Sequence, residues 1–411
     1  MARDGEYGMF ATIKQRLRSV LSFLSFSSRQ SGPSRLAGEV SAPAGSGRGP
    51  RPFKTAAVTA VAAISVVGLS ACTAPGADQE QASHLTKVTF MMSWAPDTNH
   101  IGVFVARDKG YYKKLGLDVT ILATSQAGAE QSVSKGGADF ALSNMSNVAD
   151  ANIKDGRLSF IMQVQRKPSA IWCSLAANKK IKSPKDFDGK VFATFGGNES
   201  DSVVRRMIQH DGGKGQFSKV TVGTSTFNTL STGKADFGGF YSTWEGVQAD
   251  MYGPKLNCFT EPAYGVPGNA DEIGIISSGP YLSQHPDIAR KFILATQEGY
   301  LRAYLHPNEA AKILTDSPEG KTAGLKLPFV KRSMQVITAG SYWGNATAYR
   351  SASATFGTVD TESAQKYFDF LFESHSYQDA KGRPISSAPQ ASEQATDTYL
   401  TSPEELQAAV K

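Results

Sequence analysis

The sequence predicts an α/β protein made of two related halves, each with a helix-covered sheet. Two observations predict it. From residue 87 onward, segments with period-two apolar spacing alternate with segments of helical spacing, the pattern of a largely parallel sheet. A short internal echo, Gly136-Gly137-Ala138-Asp139-Phe140 and Gly233-Lys234-Ala235-Asp236-Phe237, twice follows a predicted helix and precedes a short strand. A chance match of five residues is the plain alternative. If the echo is structural, the halves present equivalent strand ends, with Ser143 and Asn144 on one and residues 241–245 on the other. Ligands of open α/β sheets sit at such ends.

The elements follow in order. Val88, Phe90 and Met92 form one face of a first strand, residues 102–110 a helix, and Leu117, Val119 and Ile121 a second strand. A helix at 131–135, a strand at 138–143, a helix at 147–154 and strands at 158–164 and 171–176 continue the alternation. Ser183 and Pro184 then supply an N-cap and a first helical position, and Gly189 ends that turn. A new series begins there: a strand at 191–195, and a helix at 200–210 with Val203, Val204, Met207 and Ile208 on its apolar side. Strands at 219–222 and 273–276 complete it. From residue 280 the chain turns helical, at 288–305, 310–314, 331–336 and 361–372, with Leu282, Ile288, Phe292, Ile293 and Leu301 as core faces. Residues 381–396, rich in Ser, Ala, Gln and Pro, predict a surface arm.

Ahead of the globule lies an export segment. An apolar stretch at 56–69 follows Arg48, Arg51 and Lys54 and closes on Leu69-Ser70-Ala71-Cys72. Its roughly 14 residues would span about 21 Å as a helix, short of the ~30 Å core of a bilayer. The ending resembles the lipobox of bacterial lipoproteins, which implies acylation of Cys72 and an extracytoplasmic, membrane-held protein. Some fifty residues precede the signal, which a long leader or an overestimated start explains equally well. Residues 73–86 predict a polar tether.

Charge is counted after that leader. Residues 1–72 hold nine Lys or Arg and three Asp or Glu, so the chain's net charge of +6 resides there and 34 residues of each sign remain. A neutral mature protein removes the case for nucleic-acid binding. Besides Cys72 the chain has Cys173 and Cys258, which either pair or stay buried as free thiols. No Cys-x-x-Cys, His-Glu-x-x-His, Gly-x-Ser-x-Gly or Walker phosphate loop occurs.

One segment narrows the reading: Ser93-Trp94-Ala95-Pro96-Asp97-Thr98-Asn99-His100-Ile101-Gly102, followed by Gly110-Tyr111-Tyr112. With the 116–119 strand, the Gly-x-Ala-Asp-Phe strand and Trp244-Glu245 in order, residues 87–372 resemble the solute-binding lipoproteins of ABC importers. The resemblance is strongest to the branch that binds thiamine-pyrimidine precursors and shares its fold with fungal thiamine-pyrimidine synthases. Gly-Tyr-Tyr and Gly-x-Ala-Asp-Phe occur also in sulfonate and nitrate binders.

The resemblance implies a periplasmic-binding-protein-like clamshell of type II, each lobe a helix-covered mixed sheet, with ligand in the cleft between lobes. Residues 87–177 and 278–380 would form lobe one, 178–277 lobe two, 1–55 a disordered basic leader, 56–72 the signal and 381–411 a C-terminal arm. It implies a monomer without cofactor, delivering a small heteroaromatic ligand to an ABC permease and its ATPase. A pyrimidine synthase is the enzyme alternative. The fungal relatives use an active-site His and a cysteine-rich iron motif, and this chain has no such cluster.

A flat aminopyrimidine needs aromatic walls and a few aimed polar groups. Trp94, Tyr241 and Trp244 are candidate walls, and Glu245 a candidate acceptor for the amino group and an adjacent protonated nitrogen. Asn99, His100, Ser143, Asn144 and Asn198 are candidate polar partners. Asn198 precedes a helix whose first N–H groups would take a hydroxyl, a formyl oxygen or a phosphate. Each has a plainer alternative: Trp94 and Trp244 as core packing, Glu245 as a solvated helix residue, His100 as a structural histidine. Riboflavin, another flat heterocycle, an alkanesulfonate or nitrate are the rival ligands. A sulfonate site calls for Arg, Lys or helix N-termini aimed at a permanent anion.

Overall fold

The computed structural model describes residues 85–125, 127–269 and 272–410. Cys72, the signal and residues 73–84 of the tether lie outside that range. Ten strands among the described residues form two five-stranded sheets. They are β1 (Thr86–Met91), β2 (Leu117–Leu122), β3 (Phe140–Asn144), β4 (Leu158–Gln163), β5 (Ala170–Leu175), β6 (Val191–Thr194), β7 (Ser218–Thr221), β8 (Phe237–Tyr241), β9 (Leu256–Thr260) and β10 (Ile273–Ser278). The first sheet has the order β2-β1-β3-β10-β4 and the second β7-β6-β8-β5-β9.

The two sheets follow one plan. In each, a central strand pairs in parallel with two neighbours, β1 with β2 and β3, and β6 with β7 and β8. The fourth position is filled by an antiparallel strand from across the molecule, β10 in the first sheet and β5 in the second. The internal echo falls on equivalent strands. Phe90 pairs with Phe140 as Phe192 pairs with Phe237. Asp139 accepts the N–H of Thr89 at 2.7 Å, and Asp236 accepts that of Val191, the matching position, at 2.9 Å. The repeated Asp therefore satisfies a donor that the ladder leaves open. The repeated Phe stacks on a covering ring in both lobes, Phe140 on Phe292 at 4.0 Å and Phe237 on Phe187 at 4.1 Å.

These pairings correct the sequence-based lobe boundaries at 177/178 and 277/278. The strand at 170–175 belongs to the second sheet and the strand at 273–278 to the first, so the chain crosses within residues 164–169 and 261–272. The boundaries implied by the resemblance set both strands on the other side, and an apolar run carries no mark of the sheet that receives it.

The C-terminal surface arm is anchored on the first sheet. Ala395 bridges to Phe160 of β4, an edge strand, Gln394 accepts from Asn152 at 2.7 Å, and Ala391 is buried. Covering an edge strand removes a row of open backbone groups. Cys173 and Cys258, left open by the sequence, lie directly opposite on β5 and β9 with Cα atoms 4.1 Å apart and are joined as a disulfide.

Lobe one is held together by the crossing of α1 (Ile101–Asp108) with a long helix at Pro286–Leu305. Gly102 makes that crossing possible: a Cβ there would lie 2.2 Å from the Tyr300 ring, and one on Gly299 would lie 2.1 Å from the Gly102 carbonyl. The close approach lets the Tyr300 hydroxyl donate to the Asn99 carbonyl at 2.5 Å, tying the Trp94 motif to the core.

Candidate functional site

A cavity of about 460 Å³ is lined by the carboxyl ends of the central strands of both sheets. Lobe one supplies the segment after β1 and the β3 end leading into α2 (Met145–Ile153). Lobe two supplies the turn between β6 and α3 (Asn198–His210), and the turn between β8 and α4 (Glu245–Tyr252).

Trp94, Asn99, Ser143, Asn144, Asn198, Tyr241 and Glu245 all line this cavity. His100 and Trp244 do not. His100 is wholly buried, its Nδ1 bonds Asp97 at 2.7 Å and its Nε2 accepts from the Ser93 N–H at 3.2 Å. The ring thereby clips together both ends of the loop that carries Trp94, so it positions the site from behind. Trp244 points away and packs on Phe329 at 4.4 Å, within the lobe-one core cluster.

That packing belongs to a strut between lobes. Ser333, on α5 (Leu327–Ala339), donates to the Thr243 carbonyl at 2.5 Å and bonds the Thr98 hydroxyl at 2.7 Å. The loop bearing Tyr241 and Glu245 is thus held against the loop bearing Trp94 and Asn99. At the far side, Tyr367 of α6 (Thr361–Glu373) donates to Glu199 at 2.8 Å, and Ser146 donates to the same carboxylate at 3.1 Å.

Several lining residues escaped the sequence reading, and two of them stand beside Trp94. Phe195, half exposed beside Gly196 and Gly197, meets Trp94 with ring centroids 5.0 Å apart. The pair spans the cleft, because one ring follows β1 and the other β6; such pairs contribute ~0.5–1.5 kcal/mol beyond burial. An aromatic before a Gly-Gly turn was the available signal. The other is Asp97, buried and accepting from both the Asn99 N–H at 2.8 Å and His100. Its place three residues before His100 on a tight turn was legible, its burial was not.

The charge of the cavity is one-sided. Asp97, Glu130, Asp150, Glu199, Glu245 and Glu261 line it against a single cation, Lys154, which is already paired with Asp150 at 2.6 Å. Glu130 accepts the Ser143 hydroxyl. Glu245 is buried at the start of α4 and accepts the Tyr241 N–H at 3.1 Å. Burial pushes its carboxyl up from 4.5 to about 7, helped by the negative charge of Asp97. At the Asn198 turn, Glu199 and Asp201 occupy the first turn of α3. Negative charge in the first turn complements the helix dipole and repels an anion, which disfavours a phosphate at that helix start.

A sequence profile described as NMT1/THI5 like matches residues 97–310. The formylaminopyrimidine-binding protein of Halalkalibacterium halodurans is 25% identical over 311 residues, covering 75% of this chain and 91% of that protein. The 4-amino-5-hydroxymethyl-2-methylpyrimidine phosphate synthase THI13 of Saccharomyces cerevisiae is 21% identical over 64% of this chain and 82% of its own. Riboflavin-binding protein RibY of Chloroflexus aurantiacus is 24% identical over 68% and 85%. Among solved structures, the alkanesulfonate-binding protein SsuA of Xanthomonas axonopodis superposes with a TM-score of 0.56 at 10% identity, covering 76% of this chain and 98% of that one. The nitrate-binding protein NrtA of Synechocystis does so with a TM-score of 0.53 at 14% identity, covering 80% and 90%. These likenesses establish the two-lobed periplasmic-binding-protein fold.

Proposed function

The chain belongs to the NMT1/THI5-like family and is a solute-binding protein, and from that premise we propose that it captures a thiamine-pyrimidine precursor outside the cytoplasm for an ABC importer. The ligand is a hydroxymethyl- or formylaminomethyl-aminopyrimidine, passed to a permease and its ATPase, and the protein is held at the membrane by lipid on Cys72. The observation that carries the reading is the composition of the cleft: aromatic walls, six carboxylates and one already paired lysine. A sulfonate or nitrate would enter a field of its own sign. An amine-bearing heteroaromatic finds acceptors instead.

In this reading the pyrimidine ring stacks at Trp94 and Tyr241, and Glu245 receives its amino group and ring nitrogen. With its carboxyl near 7, Glu245 offers a proton or accepts one with little cost at neutral pH. Asn99, Asn144 and Asn198 face the remaining edge. The disulfide between Cys173 and Cys258 supports an oxidising compartment.

The role is a receptor's, not an enzyme's. His100, behind the Trp94 loop, has both ring nitrogens engaged by Asp97 and Ser93, and the cysteine cluster of the fungal synthases is absent from the sequence.

The test is the affinity of hydroxymethylaminopyrimidine for the wild type and for Glu245→Gln. A charge-assisted bond is worth ~1.5–3 kcal/mol, so the variant is expected to bind roughly 10- to 150-fold more weakly at pH 8. Unchanged affinity would sink the role given to Glu245. Iron retained by the purified protein, with turnover to a pyrimidine product, would overturn the receptor reading.

A further inference from the structure

At the rim of the cleft one aromatic pair joins the lobes. Trp94 follows β1 and Phe195 follows β6; both line the cavity, and their rings meet at 5.0 Å with planes inclined by 49°. Phe195 is 51% exposed and belongs to none of the hydrophobic core clusters of the described residues. Its ring is therefore little used by the fold and is available to a solute. The backbone behind it suits a protruding side chain. Gly196 and Gly197 follow at φ 130° and 95°, where glycine alone rests without penalty, and the Gly196 N–H donates to the Thr194 hydroxyl oxygen at 3.1 Å. Strands β6 and β8 are neighbours in the second sheet, so Phe195 and Tyr241 approach the cavity from the same lobe, opposite Trp94.

We propose that Phe195 is a further binding and specificity-determining residue, the lid ring that covers the pyrimidine from lobe two while Trp94 bears its other face. The inference rests on the pyrimidine reading, which it deepens. Rings with centroids 5.0 Å apart leave no layer between them, whereas a planar ring touching both needs two spacings of ~3.5 Å, so the pair parts by about 2 Å when the solute enters. One aromatic contact is exchanged for two. Only a flat solute one ring thick gains both, because a tetrahedral group seated there has no second flat face to offer. Selection by shape thus adds to the selection by charge that the carboxylates of the cleft provide.

The test measures hydroxymethylaminopyrimidine on wild type, Phe195→Ala, Phe195→Leu and Phe195→Tyr: dissociation constants by calorimetry, dissociation rates by stopped-flow displacement, and thermal midpoints without ligand. Phe195→Ala and Phe195→Leu are expected to bind at least roughly fivefold more weakly, through faster dissociation, with Phe195→Tyr within about twofold of wild type. The ligand-free midpoints are expected to coincide. Unchanged affinity in Phe195→Ala overturns the lid, and so does wild-type affinity in Phe195→Leu, which would show that bulk and not an aromatic face is used. A loss in Phe195→Ala matched by a lowered ligand-free midpoint overturns it as well, since the ring would then hold the lobes and not the solute. In these three cases the wild type still binds and the pyrimidine reading stands. No binding of the pyrimidine by wild type overturns both.

Discussion

Replacing Glu245 by Gln separates the cost of its burial from its use. Folded, the carboxyl keeps its proton to about pH 7; unfolded, it releases it near its ordinary 4.5. Between these values the folded state binds more protons than the unfolded state, so stability from this group is intact below pH 4.5 and falls as pH rises toward 7 and beyond. At 1.36 kcal/mol per pKa unit, the full penalty above pH 8 is about 3 kcal/mol. Gln has nearly the same shape, does not titrate, and its carbonyl oxygen can still accept the Tyr241 N–H. Ligand-free Glu245→Gln should therefore match the wild type near pH 4.5 and exceed it by about 3 kcal/mol at pH 8. Urea unfolding of both proteins at several pH values reads this directly. A difference that does not change with pH, or a variant less stable at pH 8, would refute the reasoning about burial.

Other consequences follow from the same geometry. Gly102→Ala places a methyl in the Tyr300 ring and should cost at least ~1–3 kcal/mol, seen as a lowered unfolding midpoint; an unchanged midpoint would show that the helix crossing is loose. Changing Cys173 and Cys258 together to Ala opens a bridge across 85 residues and should cost about 2–5 kcal/mol, with reductant lowering the wild-type midpoint and leaving the variant's in place. Cys72→Ala should move the protein from the membrane fraction to the soluble fraction, and continued anchoring would count against lipid at that residue.

What the sequence made legible was local. The period-two strands, the Ser183 cap, the Trp94 motif and the repeated Gly-x-Ala-Asp-Phe depend on neighbours in the chain, and each lies in the element expected of it. The echo proved structural because its Asp and Phe do one job in both sheets. Illegible were the features set by contacts across the molecule. Strands β5 and β10 exchange sheets, and nothing in an apolar run names its partner. His100 and Trp244 sit in motifs beside cavity residues, yet the loop turns His100 inward onto Asp97 and the start of α4 turns Trp244 onto Phe329. The acidic character of the cleft was hidden as well, since Glu130, Glu199 and Glu261 are far apart in sequence and converge only when the lobes are assembled.

The most direct test of the central claim is thermal unfolding of the protein with hydroxymethylaminopyrimidine, formylaminomethylaminopyrimidine, taurine and nitrate added separately. A ligand at 100 times its dissociation constant adds ~2.7 kcal/mol to the folded state, enough to move the midpoint visibly. The acidic, aromatic cleft predicts a rise with at least one pyrimidine and none with taurine or nitrate. A rise with taurine or nitrate and none with either pyrimidine would contradict it.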